Sequence, residues 1–221
     1  MAYLTNGARA MTKRVLEVER KFAATPTSIQ TLRNASSPIF KHLAPLGRKT
    51  FRDTYFDREN ALFGKGVYIR RRNGLWEAKI RAGGDFINSA FEEVAGEEAV
   101  KEVIKEKLHV AIEGVSIEDC LEVAADFVTE RESWMVHERF RVDVDETDFG
   151  CMVGEVELKE DIEDHGQDEE KRMRMDEERR KRMDEDIKAF MKAYPDTFPE
   201  GNAVGKLTAY FDWKKREVKL R

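Results

Sequence analysis

Acidic side chains alternate along two short stretches that have the composition of β-strands. Glu17 and Glu19 are two positions apart, and so are Glu155 and Glu157. Alternate side chains of a strand share one face, so each pair projects from the same side of its strand. Neighbouring carboxylates repel each other unless a cation joins them. Oxygen ligands without Cys or His favour Mg²⁺, with Mn²⁺ as an alternative, so the spacing predicts a shared hard cation.

Basic side chains alternate along other stretches in the same way. An arginine presents a planar fork of donors that fits phosphate oxygens, whereas a lysine acts as a point charge. A divalent cation beside many basic groups points to a chain of phosphates as the ligand. The basic residues that could hold such a polyanion are Lys21, Arg70, Arg72, Lys79, Arg131 and Lys206.

Strands must position these residues, and the alternating pattern has two interpretations. A sheet can pack on helices with its polar face in water, which is the usual antiparallel arrangement. Alternatively, the sheet closes into a barrel, so that its apolar face lies beneath outer helices and the charges line the lumen. The polar faces carry mostly ionised groups, which argues against a solvated face. Side-chain parity alone leaves both arrangements open.

Several stretches rich in Val, Ile, aromatic residues and Thr are bounded by Gly, Asn or Asp, which is typical of strands. Asn73-Gly74 lies between two of them and indicates a two-residue hairpin. The predicted strands cover residues 13–22, 48–57, 66–72, 76–81, 89–95, 126–136, 139–145, 152–159 and 203–211.

Helices are predicted between the strands. Thr25-Pro26 has the form of an N-cap followed by proline in the first turn. Residues 97–108 place apolar side chains at helical spacing, and residues 116–124 form a shorter candidate. Residues 160–194 are dominated by charged side chains and predict a solvated helix, inserted into the domain rather than linking two domains.

Composition restricts the class of protein. The chain has 221 residues, of which 41% are hydrophobic and 38% charged, and a formal net charge of −5. It can build a core, but it lacks the global positive charge of a nucleic-acid binder. It has no apolar run that could span a membrane, and its two cysteines make neither a disulfide framework nor a zinc site. We expect a cytoplasmic monomer without nucleic-acid or membrane partners, with a flexible tail at 1–12 and one domain at 13–221.

Several familiar catalytic motifs are missing from the sequence. It contains no phosphate-binding P-loop, no dinucleotide fingerprint and no nucleophile elbow. The histidines lack ligand spacing and are expected to be solvated, which makes a Ser-His-Asp hydrolase a poor interpretation. They are His42, His109, His137 and His165.

The first acidic pair belongs to a longer motif. Residues 17–21 have the form E-x-E-x-K, and further charged motifs follow it in order. In these features the chain resembles the CYTH superfamily, also called triphosphate tunnel metalloenzymes. The following motifs are YIRRR at 68–72, WEAK at 76–79, FVTER at 127–131, RVDVD at 141–145, GEVE at 154–157 and GKL at 205–207. The stretches 18–22, 50–57 and 148–157 are similar to the thiamine-triphosphatase branch.

The resemblance implies an α+β fold, an eight-stranded antiparallel β-barrel with helices packed outside, which forms a tunnel for a triphosphate. It also implies Mg²⁺-dependent cleavage of that triphosphate. By motif position, the metal ligands would be Glu17, Glu19, Asp143, Glu155 and Glu157, with Asp145 in support. The phosphate-binding residues would be Lys21, Arg70, Arg72, Lys79, Arg131 and Lys206. Among these, Arg70, Arg72 and Lys79 are assigned as catalytic, and Glu93 is a further acidic strand residue.

The reaction implied first is hydrolysis of the terminal phosphate of thiamine triphosphate, which gives thiamine diphosphate and phosphate. Inorganic tripolyphosphate is the alternative substrate. A nucleotide cyclase and a non-catalytic polyphosphate-binding module are further alternatives. Tyr68 shares a strand face with Arg70 and Arg72, so we expect its ring to stack on the organic half of the substrate. The family resemblance would place tryptophan at this position.

Overall fold

The computed structural model describes residues 14–34, 39–84, 88–112, 114–162, 168–201 and 203–219. Eight antiparallel strands form one closed barrel, in which β1 pairs with both β5 and β8. The order around the barrel is β1-β5-β4-β3-β2-β6-β7-β8. The strands are β1 Arg14–Phe22, β2 Leu43–Asp57, β3 Val67–Arg72, β4 Leu75–Gly84, β5 Asn88–Ala95, β6 Glu122–Val136, β7 Phe140–Thr147 and β8 Met152–Ile162. The predicted fold class is confirmed.

Five α-helices accompany the barrel in the described residues. They are α1 Pro26–Arg33, α2 Glu97–Leu108, α3 Ile117–Cys120, α4 Glu169–Ala193 and α5 Lys206–Lys219. None of these helices combines the length and the apolar character needed to cross a membrane.

Local sequence explains several of the element boundaries. The Thr25 side chain accepts a hydrogen bond from the Ser28 backbone N–H at 3.1 Å and caps α1, with Pro26 in the first turn. Asn73 and Gly74 both have positive φ, 47° and 86°, as a type I′ turn between β3 and β4 requires. The predicted cap and hairpin are therefore confirmed.

The apolar faces of the strands point outward, beneath the helices. Leu16 and Val18 of β1 are buried in one cluster with Met183 and Ile187 of α4. A second cluster joins β3 and β4 to α2 and α3, and contains Ile69, Trp76, Ala78, Val100, Ile104 and Ile117. The core thus lies between the barrel wall and the helices. Of the two interpretations of the alternating pattern, the structure shows the closed barrel.

The strand predicted for residues 203–211 is wrong, because this segment begins α5 at Lys206. Its apolar residues fit both periods, since Leu207, Tyr210 and Phe211 also recur at helical spacing. The closed barrel leaves no edge for a ninth strand, so the tertiary structure selects the helix over the strand for this segment. The helix packs instead on Phe127 and Phe149 through Tyr210, with ring centroids 5.5 Å apart in both pairs.

The charged helix starts later than predicted. Residues 160–162 belong to β8, where Ile162 is buried and lies opposite Arg14 of β1. The helix itself runs from Glu169 to Ala193, and residues 163–167 lie outside the described residues, as do the predicted tail residues 1–12.

Gly154 provides a test of the packing between the barrel wall and its outer layer. It lies opposite Phe22 across β1 and β8, and the Phe22 ring fills the space that a Cβ would take. Overpacking a core costs about 1–3 kcal/mol, so Gly154→Ala should lower the melting temperature by roughly 2–10 °C. Gly83→Ala on β4 is the control, because no heavy atom lies within 4 Å of an added Cβ there. Equal melting temperatures for the two variants would contradict this packing.

Candidate active site

A cavity of about 960 Å³ opens into the barrel and extends to residues of α2, and most of the predicted site residues line it. Asp143 does not reach the cavity wall. It is buried and paired with Arg131, with 2.5 Å between its carboxylate and the guanidinium. Asp145 is likewise absent from the cavity wall. The predicted residues that line the cavity are Glu17, Glu19, Lys21, Tyr68, Arg70, Arg72, Lys79, Glu93, Arg131, Glu155, Glu157 and Lys206.

Carboxylates face one another across two strand pairs of the lumen. Glu19 lies directly opposite Glu157 between β1 and β8, and Asp143 lies opposite Glu155 between β7 and β8. Like charges directly opposite each other destabilise a sheet. Burial and the neighbouring charges of Glu17 and Asp143 raise the pKa of Glu157 to about 8. This side of the lumen therefore crowds carboxyl groups together, and Glu157 stays largely protonated at neutral pH.

Lysines lie between these carboxylates. The Lys79 ammonium contacts Glu17, and it is 3.5 Å from Glu19 and 3.3 Å from Glu93. Burial by itself would lower the pKa of Lys79, but the three carboxylates hold it well above its ordinary value. Lys159 lies 2.6 Å from Glu17 and 3.0 Å from Glu93 and completes this cluster. Both lysines are therefore charged at neutral pH.

Each lumen arginine assigned to phosphate binding is held by a carboxylate. Arg70 contacts Glu77 at 2.6 Å, and Arg72 makes two hydrogen bonds of 2.7 Å to Asp53. Arg131 makes two hydrogen bonds, of 2.6 and 2.7 Å, to Asp145. Two parallel hydrogen bonds fix the plane of a guanidinium, so these donors are oriented in advance.

Lys206 enters the cavity from a helix rather than a strand. It is the first residue of α5, and its ammonium contacts Asp145 and lies 3.9 Å from Glu155. Lys21 of β1 contacts Glu19 and lies 3.8 Å from the same Glu155. The wrong strand assignment therefore does not remove Lys206 from the site.

Sequence reasoning missed several residues that the structure brings to the lumen. Asp53 is fully buried beside Arg72, and strand parity could have found it, because Phe51, Asp53 and Tyr55 share one face of β2. Glu77, Arg81 and Lys159 also line the cavity. They alternate with apolar residues on β4 and β8, and Glu77 lies within the WEAK motif, but the resemblance assigned none of the three a role in the site.

Aromatic rings surround Tyr68. The rings of Phe63 and Tyr68 are stacked with centroids 5.7 Å apart, and Phe91 meets Tyr68 edge-on at 6.1 Å. A guanidinium N–H of Arg81 donates a hydrogen bond of 3.0 Å to the Tyr68 hydroxyl. Tyr68 is therefore at the cavity as predicted, but Arg81 is already in contact with it.

The carboxylates fit a divalent cation by their chemistry rather than by a finished ligand cluster. They are all oxygen donors, and the register partners Glu19–Glu157 and Asp143–Glu155 bring several carboxyl groups into one region of the barrel that a cation could join. Across the described ranges, however, no three Asp, Glu, His or Cys side chains converge as ligands. The acidic groups turn toward Lys and Arg instead, and they would have to exchange these partners for a metal.

Comparison with known proteins places this geometry in a family. The CYTH domain model matches residues 16–190, which is more than half of the chain. Thiamine-triphosphatases of Homo sapiens and Macaca fascicularis are each 29% identical to the chain over 167 residues, covering 66% of this chain and 69% of the relative.

Two solved structures from Pyrococcus horikoshii OT3 share the fold. The PH1819 protein has a TM-score of 0.52 at 16% identity, with coverage of 90% of this chain and 99% of that one. The PH1012 protein has a TM-score of 0.53 at 12% identity, with coverage of 89% and 98%. The match of the family model extends from β1 through all eight strands and nearly to the end of α4. With its closed barrel and charged lumen, the chain belongs to the CYTH domain family.

Proposed function

We propose that this protein hydrolyses the terminal phosphate of a triphosphate with the help of a divalent cation, Mg²⁺ or alternatively Mn²⁺. One observation carries the proposal: oriented basic groups and several carboxylates line the same cavity. The basic groups fit a polyanion, and the carboxylates fit the cation that accompanies it. Membership of a superfamily that is generally metal-dependent supports the proposal.

The roles of the residues follow from their positions. Arg70, Arg72 and Arg131 present planar forks that bind and align phosphate oxygens, and Lys79 adds a point charge. These groups neutralise charge on the leaving diphosphate as water attacks the terminal phosphorus and the bond to the bridging oxygen breaks.

Lys21 and Lys206 would bind phosphate oxygens on the side of the lumen that carries Glu155, since their ammonium groups lie 3.8 and 3.9 Å from that carboxylate. The residues that would hold the cation are Glu17, Glu19, Asp143, Glu155 and Glu157, of which Asp143 would first have to leave its ion pair with Arg131. A divalent cation, when bound, supplies charge neutralisation at phosphate oxygens and a water of lowered pKa.

Two substrates fit this site. Thiamine triphosphate is favoured by the 29% identity to proteins named thiamine-triphosphatase. Inorganic tripolyphosphate is favoured by the contact between Arg81 and Tyr68, because this contact occupies the ring expected to receive the organic group.

Release of phosphate from a panel of triphosphates tests the proposal. Thiamine triphosphate, tripolyphosphate and ATP should each be incubated with the protein and Mg²⁺, Mn²⁺ or EDTA. We expect release from at least one of the first two, dependent on the cation. A folded protein that releases phosphate from none of them contradicts the proposal, and a cyclic nucleotide formed from ATP would identify a cyclase instead.

Glu157→Gln tests the metal assignment. Its raised pKa keeps the Glu157 carboxyl largely protonated at neutral pH in the absence of metal, so the metal-free variant, which carries a neutral side chain of the same size, should melt no lower than the wild type. It should bind Mn²⁺ at least tenfold more weakly, measured by electron paramagnetic resonance, since one charged ligand is lost. Turnover should fall in parallel. Unchanged Mn²⁺ affinity would show that Glu157 is not a ligand.

Asp53→Ala tests the positioning of Arg72. Removing one partner of a buried ion pair costs about 2–4 kcal/mol where the remaining charge can reach lumen water, measured by urea unfolding. Arg72 would also lose its orientation, so KM for the triphosphate should rise more than kcat falls.

The control for this variant is Asp126→Ala, which removes the partner of Arg52 on the outside of β2. Arg52 is 65% exposed, so the loss of stability should be much smaller than that of Asp53→Ala, with unchanged KM. Equal effects of the two substitutions would contradict a positioning role for Asp53.

A further inference from the structure

The backbone around Arg81, which lines the cavity, is held in a defined conformation. Its backbone N–H donates a hydrogen bond of 2.8 Å to the Gly66 carbonyl. Gly66 has a φ of 71°, and a Cβ placed there would lie 2.9 Å from the Cβ of Arg81. Immediately after Arg81, the pairing of β4 with β5 shifts register between Arg81 and Gly83. A shift of this kind is a β-bulge, which changes the direction of nearby side chains. The backbone therefore fixes the direction in which Arg81 leaves β4.

The Arg81 guanidinium lies over two aromatic rings of the lumen. Its central carbon is 5.9 Å from the ring centroid of Tyr68 and 5.5 Å from that of Phe91. The hydrogen bond to the Tyr68 hydroxyl holds it there. The ammonium of Lys79 lies over Phe91 as well, at 4.9 Å. Cations of the chain itself therefore occupy these aromatic faces.

A thiazolium ring needs the same feature that these cations use. It carries a positive charge, and it would be attracted by the negative face of an aromatic ring. At Tyr68 and Phe91 it would have to displace Arg81 or bind beside a like charge in a partly buried cavity, where screening by water is weak. Tripolyphosphate has no cationic ring, and the donors of Arg81 suit its oxygens.

We propose that Arg81 sets the substrate selectivity of the cavity, by excluding a cationic organic group from Tyr68 and Phe91 and favouring inorganic tripolyphosphate over thiamine triphosphate. This inference rests on the proposed function, since it names the substrate class of the same site. Tyr68 thereby changes its expected role: it positions Arg81 rather than stacking on a thiazolium.

The test compares kcat/KM for tripolyphosphate and thiamine triphosphate at one Mg²⁺ concentration. The wild type should prefer tripolyphosphate. Arg81→Gln removes the charge, and the preference should fall about tenfold, mainly because thiamine triphosphate becomes a better substrate. Arg81→Lys keeps a cation and should keep most of the preference. Tyr68→Phe retains the ring but removes the hydrogen bond between its hydroxyl and the guanidinium, so it should shift the preference in the same direction as Arg81→Gln.

Arg71→Gln is the matched control. Arg71 is on the neighbouring strand β3, lies over Phe56 and Trp76 at 5.8 and 5.5 Å, and contacts Glu118 on the outside of the barrel. The Arg71→Gln substitution removes the same kind of arginine–aromatic contact, but on the outside of the barrel, so the substrate preference should not change.

The outcomes separate the two proposals. Hydrolysis of neither substrate by the folded wild type overturns the proposed function. If the wild type and Arg81→Gln hydrolyse the substrates with the same preference, only the role of Arg81 is overturned. The same holds if Arg81→Lys shifts the preference as far as Arg81→Gln does. Melting temperatures check folding. If Arg81→Gln does not fold, Tyr68→Phe decides, and an unchanged preference in that variant counts against the inference.

Discussion

Charge compensation inside a closed barrel is the constraint on which the rest of this structure depends. Glu17 and Asp145 are fully buried, and a buried charge without a partner is strongly destabilising. Lysines and arginines of other elements supply the partners, as Lys79 does for Glu17 and Arg131 for Asp145. A slip of one residue in strand register would turn these groups outward and bring Leu16 and Val18 inside. The ion pairs and the apolar outer face thus specify the same register.

A barrel with a charged interior needs its hydrophobic core elsewhere. Here α2 and α4 cover the outward apolar faces of the strands and form the two largest clusters of buried residues with them. Only the second half of α4 takes part, through Met183, Ile187 and Phe190, while its first half is mostly charged and exposed. The helices therefore stabilise the wall, and the lumen remains available for chemistry.

The internal ion pairs also prepare the cavity for a phosphate ligand. Asp53, Glu77 and Asp145 hold three arginines in fixed orientations, so little side-chain entropy remains to be lost on binding. The cost is competition, because a triphosphate must share or replace these carboxylates. A cation that draws Glu19 and Glu157 together would reduce that competition.

The sequence by itself determined the alternation of the strands, the hairpin at Asn73-Gly74, the span of α2 and which charged residues share a strand face, since these depend on local spacing. It could not decide between a solvated face and a lumen, because parity is the same in both. Tertiary structure decided that closure leaves no edge for residues 203–211, which became a helix that carries Lys206 into the cavity. It also paired Asp53 with Arg72 and placed Arg81 over Tyr68. Such contacts join different strands, and their geometry depends on barrel register and on a bulge, neither of which has a local signal.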